Sequence, residues 1–204
     1  MGAESANSTM GVKTVLGFPH SPSQTNIAWF SLAYRTAYRK ASDIATALGS
    51  SRIDVVGKWD PATQTSTAYY YARGGWWGRD FPIAAGDGLY VGTRAAFAWT
   101  LVGTDADRTL LLTRNDPPRA NVNWVGLPST GVYSKASDVS GELGSGKITE
   151  VALWNAATQT ATRWAWNGTA WTGTDFTFAP GAGVYLIVAS SFAWRPTLVT
   201  PEMP

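Results

Sequence analysis

The run Lys40-Ala41-Ser42-Asp43 returns 95 positions later as Lys135-Ala136-Ser137-Asp138, and Ala62-Thr63-Gln64-Thr65 returns at the same offset as Ala157-Thr158-Gln159-Thr160. The match spreads outward from these anchors. Asn26, Trp29 and Leu32 recur as Asn121, Trp124 and Leu127, and Ile53, Val56 and Trp59 as Ile148, Val151 and Trp154. Asp80-Phe81 recurs as Asp175-Phe176, Gly86, Gly88 and Tyr90 as Gly181, Gly183 and Tyr185, and Phe97-Ala98-Trp99 as Phe192-Ala193-Trp194. From residue 12 to 102 the alignment takes no gap, which makes the chain a tandem duplication. A period this long exceeds the units of solenoids and fits a complete small domain. We therefore read a first domain over 12–103 and a second over 107–198, with a short joint between them. Residues 1–11 and 199–204 are read as end segments.

Within each domain the patterning is that of strands. Lys13 to Phe18 and Arg108 to Thr113 are apolar and β-branched, as are Asn26 to Leu32 and Asn121 to Leu127. Arg52 to Trp59 and Ser66 to Ala72 flank a turn at Asp60 to Thr65, and Lys147 to Trp154 and Ala161 to Trp166 repeat that hairpin. One short helix is expected per domain. Ser42 and Ser137 are read as its N-caps, Asp43 and Asp138 lie in its first turn, and Gly49 and Gly144 stop it. The fold class is mainly β, a β-rich α+β arrangement. Two homologous tandem domains are expected, each a small antiparallel sheet or barrel with one short helix.

Composition narrows the chemistry. The chain has no cysteine, which removes disulfides, thiolate metal sites and cysteine nucleophiles. One histidine, His20, cannot build a histidine-rich metal site, and no metal or cofactor is expected. The net charge of +2 lacks the basic footprint of nucleic-acid binding. No apolar run is long enough for a membrane-spanning helix, and Met1 to Gly11 lacks the basic and apolar regions of a secretory signal. Glycine-rich phosphate loops and a Gly-x-Ser-x-Gly elbow are missing. Asp43 and Asp80, with Asp138 and Asp175, are read as helix and turn residues rather than a catalytic pair, and Asp105 with Asp107 as a solvated joint. The expectation is a protein that is not an enzyme.

Aromatic residues make up 13% of the chain, and that excess is where a function would reside. Rings that recur in both copies (Trp29/Trp124, Trp59/Trp154, Phe81/Phe176, Tyr90/Tyr185 and Trp99/Trp194) are expected in the two cores. The copy-specific rings are the candidate ligand-binding or interface residues: Tyr69, Tyr71, Trp77, Trp164 and Trp166. Tyr69 and Tyr71, like Trp164 and Trp166, are two apart and share a strand face. Two readings stand open for them, closure of the core or an exposed strip for sugars or a neighbouring subunit. Arg35, Arg39 and Lys40 form a candidate basic patch that is weaker in the second domain.

The pattern Asn-x-x-Trp-x-x-Leu, then Ala-Ser-Asp, then Thr-Gln, then Asp-Phe, then Gly-x-Gly-x-Tyr resembles β-rich modules found in tandem in secreted and surface proteins of bacteria. The resemblance implies an extracellular or cell-surface location. The expected partners are neighbouring protein subunits or surface glycans, with a homo-oligomer as one form of assembly, no nucleic acid and no membrane insertion. The functional expectation is a non-enzymatic structural or adhesive protein, a subunit of a surface appendage or layer whose Val12 to Phe18 segment adds to a neighbour's sheet edge. A carbohydrate-binding tandem module and a phage or virion surface protein are the alternatives.

Overall fold

A computed structural model describes residues 11–32, 35–104, 108–117, 120–128 and 132–197. The first half runs β1 (Gly11–Phe18), β2 (Ile27–Ser31), α1 (Ala41–Leu48), β3 (Ile53–Asp60), β4 (Thr65–Ala72), β5 (Gly75–Gly78), β6 (Gly88–Thr93) and β7 (Phe97–Thr104). The second half runs β8 (Leu110–Leu112), β9 (Val122–Val125), α2 (Ala136–Leu143), β10 (Ile148–Asn155), β11 (Thr160–Trp166), β12 (Trp171–Gly173), β13 (Val184–Val188) and β14 (Phe192–Trp194). Strands β2-β6-β3-β4-β5 form one five-stranded antiparallel sheet, and β9-β13-β10-β11-β12 form its twin. The first and last strands of each half pair separately, β1 with β7 and β8 with β14. The fold class is the one expected from the sequence, with open sheets rather than barrels.

Each helix is two turns long, too short to be stable alone. It is held from both sides of its N-terminus. The Asp43 carboxylate accepts from the backbone N–H groups of Arg39 (2.7 Å) and Lys40 (3.1 Å), so Lys40 is the N-cap and Ser42 lies inside the helix. Asp80, beyond β5, accepts from the Ser42 backbone N–H and hydroxyl at 2.8 Å each. Asp138 and Asp175 repeat the arrangement around Lys135 and Ser137. The N-cap thus falls two residues before the serines, because the third residue of the helix supplies the carboxylate that a serine cap would replace. Ala41, Ile44, Ala45 and Leu48 then present one apolar stripe to the sheet.

The helix-facing side of each sheet is the core. Phe18, Phe30, Ile44, Val56, Leu89 and Trp99 are buried in the first half, and Leu112, Val125, Val139, Val151, Leu186 and Trp194 in the second. Phe81, Phe176, Trp99 and Trp194 meet their expectation. The repeat departs from its fixed offset at one place. Leu16 pairs with Trp99, whereas Leu110 pairs with Trp194, so β1 and β8 are equivalent at an offset of 94. The loop after β8 carries one extra residue. β1 is paired along its whole length with β7 of its own half, so one of its edges is already used.

Trp29, Trp59 and Tyr90, with Trp124, Trp154 and Tyr185, are not in these cores. They lie on the opposite face of each sheet, where the two halves meet. Trp29 stacks on Trp124, its own equivalent, with ring centroids 3.8 Å apart and planes within 3°. A residue can meet its own counterpart only on a twofold axis, so a pseudo-twofold axis passes between these rings. Around it every contact comes twice. The Gln64 carboxamide accepts from the Val122 N–H (2.8 Å) and donates to the Val122 carbonyl (3.0 Å). Gln159 does the same to Ile27, at 3.0 and 2.9 Å. The Trp59 indole donates to the Val122 carbonyl and the Trp154 indole to the Ile27 carbonyl, both at 2.8 Å. Farther along, Ser31 N–H donates to Gly181 and Gly126 N–H to Gly86. Gly88 and Gly183 permit this approach, since a Cβ on either would run into the backbone of Trp124 or Trp29.

Gln64→Ala leaves a part-buried backbone N–H at Val122 without its partner and is expected to destabilise by about 1 kcal/mol. Gly88→Val is expected to force the halves apart, so that calorimetric unfolding changes from one transition to two. A single unchanged transition for Gly88→Val would show that the seam does not couple the halves.

Three of the four carboxylates at the helix N-termini also set an acid limit. Burial draws the Asp80 and Asp175 carboxyls upward, but the Ser42 or Ser137 N–H and the nearby lysine outweigh it, leaving both below their ordinary value. Asp138 is held down chiefly by the Ser134 N–H. A depressed folded-state pKa contributes stability above the unfolded value, about 3.9, and loses it as pH falls through the folded value. Thermal stability is therefore expected to decline below about pH 4, and more gently in Asp80→Asn and Asp138→Asn, which start from a lower plateau. Parallel acid slopes in wild type and variants would refute the assignment.

Candidate functional site

The copy-specific rings divide between two faces because side chains alternate along β4 and β11. Tyr69 and Tyr71 point to the core side with Trp76, which Tyr69 stacks on at 5.5 Å and 17° and Tyr71 meets edge-on at 5.5 Å. Trp164 does the same in the second half, packed on the core with its indole donating to the Ser140 hydroxyl at 3.1 Å. Trp166 tilts against Trp171 at 5.9 Å. Tyr69 and Trp164 pack against the two cores, and Tyr71 and Trp166 reach them through Trp76 and Trp171. All four are half-buried.

Trp77 is the exception. It pairs across the hairpin with Tyr70, not with Tyr71, and so projects from the seam side of the sheet. Both rings stand well out of the seam, with Trp77 54% and Tyr70 46% exposed. The indole of Trp77 is pinned by a 2.9 Å hydrogen bond to the Ala72 carbonyl. Tyr70 is the functional candidate that sequence reading missed. Its signal was the run Tyr69-Tyr70-Tyr71, in which the central ring must face away from its neighbours.

All three residues of the candidate basic patch are exposed, and Lys40 is also engaged in the fold. Lys40 reaches Asp80 at 3.2 Å, and Lys135 reaches Asp175 at 3.4 Å in the other half. The hydrogen bond to Asp80 holds the Lys40 ammonium above its ordinary pKa, and the charge of Asp80 adds to this. Arg35 and Arg39 are exposed, and their backbones are fixed to Thr104 and to Asp43 and Ile83. Among the described residues no group of three or more histidines and carboxylates could hold a metal ion. Asp105 and Asp107 lie outside the described residues. No described helix is long and apolar enough to cross a membrane.

Two equivalent clefts flank the seam, and they have diverged. The larger, about 370 Å³, has Leu153 and Ala182 where the smaller, about 280 Å³, has Lys58 and Asp87. Lys58 and Asp87 form a 2.6 Å ion pair across their cleft. A third cleft of about 420 Å³ lies beside β6 in the first half, lined by His20, Gln24, Asp54 and Arg94 among others. His20 Nδ1 lies 2.9 Å from the Thr93 carbonyl, so this nitrogen carries the proton and Nε2 is the acceptor in the neutral ring. Compared with known proteins, the chain matches no family model, no curated protein and no solved structure.

Trp77→Ala removes a ring that supports no core and is expected to shift stability by less than about 1 kcal/mol. Trp164→Ala opens the core edge and is expected to cost about 3 kcal/mol. Equal losses in denaturant unfolding would contradict the division of the rings between two faces.

Proposed function

We propose that this protein is a non-enzymatic structural or adhesive unit of an extracellular surface, built from two modules locked into one body. One observation carries the reading: the polar side chains that the halves share are spent on holding backbone. Asp43, Asp80 and their equivalents anchor helix ends, and Gln64 and Gln159 clamp edge strands across the seam. The reading is further supported by the resemblance of the repeated pattern to tandem modules of bacterial surface proteins. A seam that fixes one module against the other suits a part that must transmit load or present a surface, since it removes the interdomain hinge usual between small domains.

Contacts between copies have a place to form. The β1–β7 ribbon turns Val15 and Val102 outward, 59% and 61% exposed, on the same side of the pair. The outer edge of β1 has no strand partner among the described residues, which leaves backbone groups for a neighbour's strand. Light scattering and negative-stain microscopy test this reading. Assembly that grows with protein concentration is expected, and Val15→Lys with Val102→Lys should abolish it. A strictly monomeric wild type at high concentration would overturn the proposal of a self-assembling subunit.

A further inference from the structure

One row of side chains crosses the seam-side face of the first sheet, outside the seam itself. Trp77 pairs with Tyr70, Tyr70 with Val55, and Val55 with Gly92. The strands are about 4.8 Å apart, so the row from Trp77 to Val55 spans about 10 Å. The Trp77 indole nitrogen lies beside Gly75 and one edge of the Tyr70 ring beside Gly78, and both side chains stay about half-exposed to solvent. At the far end Val55 and the Asp54 carboxylate cover Gly92, where the row opens into the cleft lined by His20, Gln24, Asp54 and Arg94. The Asp54 carboxylate makes no hydrogen bond or ion pair among the described residues.

The second half serves as an internal control. At the same positions it has Thr172 for Trp77, Ala165 for Tyr70, Glu150 for Val55, Thr149 for Asp54, Ile187 for Gly92 and Ala189 for Arg94. Its sheet has the same strand order and register there, with Glu150 opposite Ala165 and Ala165 opposite Thr172. The fold therefore needs none of the first half's residues along this row. They occur together in one half only.

We propose that this row is a binding site for a neutral polysaccharide, with Trp77 and Tyr70 stacking on successive sugar rings and the Asp54 cleft hydrogen-bonding hydroxyls at the end of the track. The chemistry of the site selects this ligand. A sugar offers a C–H face to an aromatic ring and hydroxyls at its edge, which is the order met along the row. Aromatic rings cost little entropy to hold and give large area for few rotors. The two half-exposed rings offer about 200 Å² between them, about a quarter of what each partner contributes to a stable protein interface. That is too little for docking a second copy. The mixed signs of Asp54 and Arg94 leave no net charge to favour an acidic polymer.

The inference names a ligand for the adhesive role proposed above and rests on that reading, yet its test is separate. Affinity electrophoresis of the full chain through gels containing xylan, mannan, dextran or hydroxyethylcellulose measures binding directly. Retardation by at least one of these is expected. Tyr70→Ala with Trp77→Ala should weaken it at least tenfold, and Asp54→Ala several-fold, with unfolding midpoints held close to wild type. Thr172→Ala, at the equivalent position of the second half, should leave binding unchanged. No retardation in any of the four gels would overturn the proposal, as would equal retardation of wild type and the double variant. If the double variant instead changes the oligomeric state, the row is a contact between copies and the sugar assignment falls. Assembly without sugar binding would leave the structural reading standing and remove this inference alone.

Discussion

The structure depends on two backbone positions, Ile27 on β2 and Val122 on β9. Each belongs to an edge strand whose outward N–H and C=O have no strand to pair with. A bare edge is a liability, because it invites pairing with other chains. Here the opposite half supplies a glutamine whose amide copies one rung of a ladder, giving and accepting at the same residue. Gln64 and Gln159 make this reach from a left-handed backbone, with φ of 56° and 54°, at the tip of their hairpins. The carbonyls of Ile27 and Val122 each take a second donor from a tryptophan indole. Each half therefore completes the other's sheet, and the duplication makes a closed pair where a string of independent domains would have left two open edges.

Closure also explains which residues stay the same. In a symmetric interface each surface serves both partners, so a substitution in one half breaks a contact that the other half still needs. Trp29 and Trp124 are the limiting case, since they meet each other on the axis. Their centroids are closer than the spacing usual for aromatic pairs, and the flanking clamps hold them there. Away from the axis the constraint relaxes. The two seam clefts already differ, with a Lys58–Asp87 ion pair in one and Leu153 with Ala182 in the other.

Much of this fold was legible in the chain. The 95-residue offset, the short helix ending at Gly49 and the hairpin over Asp60 to Thr65 all follow from local rules of caps, turns and alternation. What stayed hidden was the seam, and the reason is physical. Recurrence of a ring in both copies is the mark of a core, and it is equally the mark of a symmetric interface. Alternation separates the two. Trp29 stands between Ala28 and Phe30, and Tyr90 between Leu89 and Val91, so if the flanking residues face the helix the rings must face away. Trp59 was harder, because a bulge near Asp54 shifts the parity of β3. The role of Gln64 left no local signal, since its partner lies 58 residues away in the other half. Of the candidate rings, the face shared by Tyr69 and Tyr71 was legible, but the pairing that sends Trp77 to Tyr70 depends on the register of a two-residue turn.

A duplicated molecule of this kind separates its own scaffold from its specialisation. Positions that anchor the helix ends or meet on the axis are repeated, while core positions keep their apolar character and change their size, as Phe30 and Val125 do. The outer flank of each sheet is bound by neither, and there the halves differ at every position of one row. Glu150 in the second half is occupied within the fold, accepting from the Tyr185 hydroxyl at 3.1 Å and facing Arg163 at 3.5 Å. Its equivalent Val55 leaves the ground clear for Tyr70 and Trp77, whose faces serve no packing purpose. Large rings held open to water have an unfavourable hydration cost that contact with a ligand or another surface removes. Where symmetry constrains the chain the residues explain its stability, and where symmetry lapses the two halves are free to specialise.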